Sequence, residues 1–415
     1  MKVFSFRGNC VKDVEHIKHA VNILEEYAKE SKLVAVLSAT NNTRKALETV
    51  TDNFYNGYKD EALKLFDNIK KQHFDTAKYL LILNFNECLE KMVDIFTEVE
   101  WLLHDKPVWS YRYYYDQIVC AGELLISRII SAYMQEKGIA NTFTDIRDVV
   151  RTDNNFSNAH IDLIFTEQKA KELLFSKPEN DIIITQGGIG STDENESTTL
   201  GLLGGDYTGA VLAKISEADS FIIWQKTEAL TANVFDKKSF IENLNYTDAY
   251  AIAINSDHFL HPEALRILKD SNVSTEVSYF YDTSVEGTLL NNQQAVNSVL
   301  QAIVQKDNQV LIICKAADSK GLNSKELEAV LESIDLPANI FSGNENLIQI
   351  VADHVPDKIE KFAQEAGQFA DIHVEKGFRL ISFLHSNPGD IDAYISPNNR
   401  ILTESKDGFV KVLTQ

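Results

Sequence analysis

Two apolar strands with a helix between them constrain this chain most. KVFSF (2–6) and LVAVLS (33–38) are β-branched and apolar, as buried strands are. Between them Val14, Ile17, Val21 and Leu24 recur at helical spacing. Strand, helix and strand in that order imply a parallel sheet with a right-handed crossover. Residues 43–137 read as mostly helical, with one helix near Asp116–Glu136. Strand signals resume at HIDLIF (160–165), DIIITQ (181–186) and SFIIWQ (220–225), with helical signals between them. The pattern predicts an α/β layer sandwich with ligand loops at the carboxyl ends of the strands.

Beyond VEGTLL (285–290) the pattern changes, and NNQQAVN reads as a connecting helix. VLIICK (310–315), SKELEAVLESI (324–334), ANIF (338–341), LIQIVAD (347–353), DKIEKFAQEAG (357–367) and ADIHVEK (370–376) read as βαββαβ, one ferredoxin-like unit. A second unit starts at RLISFLH (379–385), but only SNPGDID separates it from the strand-like AYIS. Seven residues with Pro and Gly cannot hold a helix of two or three turns. RILTES and FVKVLT follow as strands, so the second module is expected to lack one helix. The expected boundaries are 1–292 for the first domain and 293–415 for the tandem region, with modules at about 308–377 and 378–415.

Charge narrows the function classes. The chain has 415 residues, a net charge of −21 and no block of Lys and Arg, which argues against nucleic acid and anionic membrane surfaces. MKVFSF is too short for a signal peptide, and no apolar run approaches the roughly 20 residues that span a bilayer. Cys10, Cys88, Cys120 and Cys314 lie far apart without a CxxC, a reduced, cytoplasmic pattern. The ten histidines show no metal spacing, and no GxSxG is present.

Chemistry concentrates in TQGGIGSTDENESTTLGLLGGDYTGAVLAK (185–214). A strand meets Gly187, Gly188 and Gly190, and Gly204, Gly205 and Asp206 then open a helix. Glycines before a helix N-terminus let backbone N–H groups approach an anion, and the helix dipole adds to the attraction. Asp206 is a catalytic candidate, and an N-cap is its plainer reading. The first strand likewise runs into a turn at Gly8, within SFRGNC.

Six motifs fall in one order: VLSATNNTRKAL (36–47), AGELLISRII (121–130), DIRDVVRTDNNF (145–156), TTLG with GGDYTGA, FLHPEAL (259–265) and VEGTLL. In that order the chain resembles the aspartokinases of the amino-acid kinase family, from Met1 to about Leu290, and its tail resembles their tandem ACT regulatory domains. The resemblance implies a three-layer αβα sandwich plus an ACT region. It also implies ATP and Mg²⁺ as co-reactants, L-aspartate as substrate, 4-phospho-L-aspartate as product, an amino-acid effector and a homodimer through the ACT-like region.

Residue by residue, the family's KFGGTS phosphate loop reads SFRGNC here: its lysine falls on Ser5, its first glycine on Arg7, and Gly8 is kept. Arg7 points to the same side as Ser5 and is the candidate replacement cation. GRGGSD reads GLLGGD, placing Leu202 and Leu203 where the family has Arg and Gly and keeping Gly204 and Asp206. The nucleotide loop reads WQKTEALTANVF: Trp224 and Thr231 remain, Gln225 and Lys226 replace Thr and Asp, and Lys226, Lys237 and Lys238 are candidate phosphate contacts. On the acceptor side Glu123 matches the residue that orients the substrate amino group. Arg151 matches the arginine that grips the α-carboxylate, with an ion pair to Asp148 or Asp153 as its plainer reading, and Ser38 matches a serine near phosphates and substrate. His261, in the LHP turn, is expected to be structural. An active aspartate kinase, a catalytically weak or inactive homologue that binds a ligand or pairs with an active subunit, and a kinase of another carboxylate or carbamate all remain open. ADSKGLNS (317–324) is the expected effector loop.

Overall fold

The computed structural model describes every residue except 177–180, 228–229, 234–235, 258, 293–301, 318–320, 335, 345, 385–390, 392–393 and 407–408. The chain divides into two units, Met1–Leu230 with Ile241–Tyr250 and Leu260–Gln293, and Thr231–Phe240 with Ala251–Phe259 and Gln294–Gln415.

The chain starts with β1 (Lys2–Phe6), α1 (Val14–Tyr27) and β2 (Leu33–Leu37). A helical block follows: α2 (Asn41–Tyr55), α3 (Lys59–Leu80), α4 (Phe85–His104), α5 (Tyr111–Val119) and α6 (Ala121–Glu136). Next come β3 (Thr142–Phe143), α7 (Leu163–Ala170), β4 (Ile182–Gln186), the small pair β5 (Ile189–Ser191) and β6 (Ser197–Thr199), α8 (Gly204–Ile215) and β7 (Ser220–Gln225). The paired strands β8 (Leu230–Asn233) and β9 (Asp236–Ile241) precede β10 (Asn243–Asn245), α9 (Tyr246–Ala253), α10 (Pro262–Lys269), β11 (Ser274–Tyr279) and β12 (Thr288–Asn291).

The first unit's sheet has the order β10-β12-β11-β7-β1-β2-β4-β3. From β11 to β3 every pairing is parallel. All five residues of β2 and of β4 are buried, because helices cover both faces. Side chains alternate along β1: Phe4 and Phe6 pack against Trp224, and Phe4 also meets Tyr27 of α1. Ser5 between them points to the opposite face, toward α8.

Three readings are corrected here. HIDLIF is not a strand: Asp162 accepts hydrogen bonds from the N–H groups of Ile164 and Phe165 and so caps α7 from Leu163 onward. The helix at 116–136 is two helices that meet at Cys120. Together they form the stretch Tyr111–Glu136, which by length and composition is apolar enough to cross a membrane, contrary to expectation. It is 83% buried over its most apolar window, as a core helix is.

The second unit holds β13 (Ala302–Ala316), α11 (Ser324–Ser333), β14 (Ala338–Asn344), β15 (Leu347–Asp353), α12 (Pro356–Ala366), β16 (Ala370–Leu384), β17 (Leu402–Lys406) and β18 (Phe409–Thr414). Its sheet runs β14-β15-β13-β16-β18-β17, antiparallel along that order, and β8 joins β13 in parallel where Asn233 lies opposite Ile303. Val310, Ile312 and Cys314 share a core with Leu327 and Leu331 of α11 and Phe362 of α12, completing the ferredoxin-like module.

The second module is assembled differently from the expectation. Ala302–Lys306 pairs with Leu380–Leu384, so one of its strands comes from upstream of the first module, which is thus inserted within the second. ADIHVEK and RLISFL are one strand, carried through Gly377 at φ +91. AYIS is not a strand where it is described, because the Ile391 carbonyl accepts from Tyr394 and Ile395 N–H in a turn. NNQQAVN from 293 on, residues 318–320 of the expected effector loop and most of SNPGDID lie outside the described residues.

Candidate functional site

Parallel register gathers the site. Phe6 lies opposite Leu37 and Trp224, Leu37 opposite Gln186, and Gln225 opposite Tyr279, so the carboxyl ends of β1, β2, β4, β7 and β11 share one edge. Arg7, Gly8, Ser38, Gly187 and Lys226 follow those ends, and α8 begins beside them. Gly187 and Gly205 pack backbone to backbone: a Cβ on Gly187 would stand 2.8 Å from the Gly205 Cα, and one on Gly205 would collide with the Ser38 hydroxyl. Gly204 abuts Gly188 in the same contact, and Gly190 lies in β5 against Val150. These glycines are therefore used first to bring two loops together.

Asp206 is not an N-cap. The α8 N-terminus has no side-chain cap, and the Asp206 carboxylate, 1% exposed, faces β1 instead. Ser5 Oγ donates to its Oδ1 at 3.0 Å, and Arg7 donates to its Oδ2 from Nη2 at 2.7 Å and Nε at 3.2 Å. Arg7 Nη1 donates to Gln225 Oε1 at 3.0 Å. The guanidinium is thus bonded on three nitrogens within the loop cluster. Leu203 keeps a left-handed backbone, φ 59 and ψ 21, a conformation that suits glycine and strains a leucine. Gln225 Nε2 is buried without a partner.

Glu123 and Arg151, the expected substrate-side residues, are poised differently. Glu123 opens α6 and is buried, with Oε2 lacking any hydrogen bond. Burial pushes its carboxyl up to about 7, against the pull of Arg44 and of the backbone N–H groups of Glu123 and Ala39. Arg151 makes neither expected ion pair: Asp153 is held by His160, and the Arg151 guanidinium lies over the Phe165 ring at 4.5 Å with Nε unbonded. A buried unpaired oxygen and a guanidinium nitrogen without an acceptor are groups that a ligand ammonium and carboxylate would complete.

Two further residues emerge that the sequence reading quoted without assigning. Arg44, one turn into α2, donates to Glu48 at 3.3 Å and to Tyr115 Oη at 3.2 Å. Burial works against its charge, but Tyr115, Glu123 and Glu48 outweigh it and hold its pKa above the ordinary value. Asp116 is buried, accepts from Ser157 N, Thr199 N and Thr199 Oγ1, and is pushed by burial up to about 7. The Arg44–x3–Glu48 pair and the Asp that closes the aromatic run WSYRYYYD (109–116) were the available signals.

Other candidates stand apart. Trp224 is a core residue, 1% exposed, stacked on Phe6 and edge-on to Phe4 and Tyr27, so its ring offers no face to a nucleotide. Lys226 is exposed beyond β7. Thr231 belongs to the second unit, and the side chains of Lys237 and Lys238 lie outside the description. His261 is structural: it caps α10 through Glu263 N–H, contacts the Leu200 carbonyl and stacks on Tyr207.

Comparison with known proteins gives this geometry a context. The description "Amino acid kinase family" matches residues 1–277. Lysine-sensitive aspartokinase 3 of Escherichia coli K12 is 23% identical over 397 residues, covering 92% of this chain and 86% of that protein. A chloroplastic bifunctional aspartokinase/homoserine dehydrogenase 1 of Zea mays is 26% identical over 317 residues, 73% of this chain and only 34% of its own length. The structure of E. coli aspartokinase III in complex with aspartate and ADP superposes with a TM-score of 0.86 at 21% identity, covering 100% of this chain and 96% of that one. With the parallel sheet, the ACT-type tail and the ordered motifs, the chain belongs to the amino acid kinase family, as an aspartokinase-like member.

Proposed function

We propose that this aspartokinase-like chain binds L-aspartate through Glu123 and Arg151 and phosphorylates it far more slowly than an intact phosphate loop would allow. The kinase domain of the proposal is 1–292 and the ACT-like region 293–415. The observation that carries it is the Arg7–Asp206–Gln225 network at the end of β1, with Ser5 in the lysine's position. Family membership implies ATP as phosphoryl donor, with Mg²⁺. The residues present do not fit its phosphates well: the loop's cation is bonded to Asp206 and Gln225, and Leu203 adds a side chain where α8 begins. A preorganised cation missing from the transition state costs about 10²–10³ in rate.

The acceptor side supports binding. Glu123 would hold the ammonium and Arg151 the α-carboxylate, and aspartate is one of the molecules bound in the E. coli aspartokinase III complex. Calorimetry should find aspartate binding, while aspartyl phosphate trapped as hydroxamate, with ATP and Mg²⁺ supplied, should form only slowly. Robust hydroxamate formation would overturn the reading. Binding with no hydroxamate at all selects its limiting form, an inactive homologue serving as a ligand-binding or regulatory subunit. Cytoplasmic location, an ACT-mediated homodimer, an amino-acid effector and a role in lysine, threonine and methionine synthesis complete the proposal.

A further inference from the structure

Helices α4 and α6 face each other across a small cavity that the kinase reading does not use. Asn84, Glu87, Cys88 and Lys91 line it from the start of α4, spaced three or four apart, and Arg128, Ser131, Ala132 and Gln135 repeat that spacing on α6. Its volume is about 80 Å³, room for a few water molecules or one small polar group. Phe143 of β3 forms one wall, and the Arg128 guanidinium lies over its ring with Cζ 3.6 Å from the centroid.

Arg128 is half-buried and has no hydrogen bond or ion pair to any described residue. Burial works against its charge and lowers its pKa. Asp145, the carboxylate that attracts it most, is already held by Arg147 through Nη2 at 2.9 Å and Nε at 3.1 Å. Lys91 and Gln135, both exposed, add donors without partners of their own among the described residues, and Glu87 is the one carboxylate on the rim. The cavity thus sets two cations against a single carboxylate, with Arg128 bonded to none of the described residues, a balance that favours an anion. The planar fork of Arg, backed by the Phe143 ring, presents two parallel N–H groups to a pair of oxygens.

We propose that this cavity is a binding site for a small oxyanion, a phosphate or carboxylate group gripped bidentately by Arg128 and closed over by Lys91. The full chain is titrated calorimetrically with inorganic phosphate and, separately, with acetate, in a buffer free of other oxyanions. At least one should bind in the millimolar range or tighter. Phosphate alone identifies a tetrahedral group, acetate alone a carboxylate, and both a site that reads the oxygen pair. Arg128→Met, which keeps the stacked stem, should weaken binding at least about tenfold, the loss expected for a charge-assisted bidentate contact. No binding to the wild type, or Arg128→Met binding like wild type, overturns the proposal. If Arg128→Met does not fold, Lys91→Glu on the exposed surface decides by the same criterion.

Discussion

Whether Arg7 is locked or available can be measured as stability. Its side chain is 14% exposed and that of Asp206 is 1% exposed, so the pair is largely out of water. Removing one partner of a buried pair leaves an uncompensated charge and costs about 3–5 kcal/mol, whereas an exposed pair is worth about 0–1 kcal/mol. Arg7→Met leaves Asp206 with Ser5 as its remaining side-chain donor and should fall in the first range. At about 2–4 °C per kcal/mol for a unit of this size, Tm should drop about 6–20 °C. Replacing both partners, Arg7→Met with Asp206→Leu, removes the charge left behind and should recover most of the loss. Chemical denaturation of the four proteins closes a double-mutant cycle, with a coupling of at least about 2 kcal/mol expected. A loss below about 1 kcal/mol for Arg7→Met, or additive losses, would refute the lock and return Arg7 to the pool of free phosphate ligands.

Four further outcomes follow from the same site. Ser5→Lys with Arg7→Gly places a lysine against Asp206 and opens the loop, and hydroxamate formation should rise at least about tenfold; no rise means that Leu203 and Gln225 also limit. Leu203→Gly relieves the left-handed strain and should stabilise by about 1 kcal/mol, read as a Tm increase of about 2–4 °C. Burial raises the Glu123 carboxyl from its ordinary 4.5 to about 7, so its contribution to stability is present at acid pH and is lost as pH rises through about 7. Glu123→Gln should therefore stabilise the protein relative to wild type more at about pH 8 than at about pH 5, by about 1–3 kcal/mol, while abolishing aspartate binding. In wild type, aspartate affinity should fall as pH drops from about 8 to about 6 and the carboxylate takes up its proton.

The fold was legible wherever hydrophobic period and turn chemistry agreed. β1, α1, β2, β4 and β7 sit where their apolar patterns put them. β13 was read only from 310 because Lys306, Asp307 and Asn308 break its apolar run. Those residues lie where the register shifts, with Asn308 at φ 54, and the strand continues through them to Ala302. Gly377 hid the continuity of β16 in the same way. An irregularity inside a long strand looks, in one dimension, like a boundary between two. HIDLIF failed for the opposite reason: a capping Asp decided the conformation over an apolar run.

The site was legible as a set of positions and not as a set of bonds. Sequence places Ser5 and Arg7 at the end of one strand and Asp206 at the start of a helix, but only the packing of β1 against α8 shows that Arg7 closes on Asp206 rather than on open space. Under the proposed reading Ser5 stands at the family's lysine position, and Arg7, two residues on, is bonded internally to Asp206. On the acceptor side the reverse holds: Glu123 Oε2 and Arg151 Nε remain buried and unsatisfied. Leaving such groups unpaired costs about 1–3 kcal/mol each. A site used only for packing would be expected to satisfy its own charged groups, as Arg7 and Asp206 do, although Gln225 Nε2 beside them is left unbonded. The two halves thus differ, one leaving buried groups for a ligand and the other bonding its cation to itself, which is the asymmetry that the proposed slow phosphoryl transfer would require.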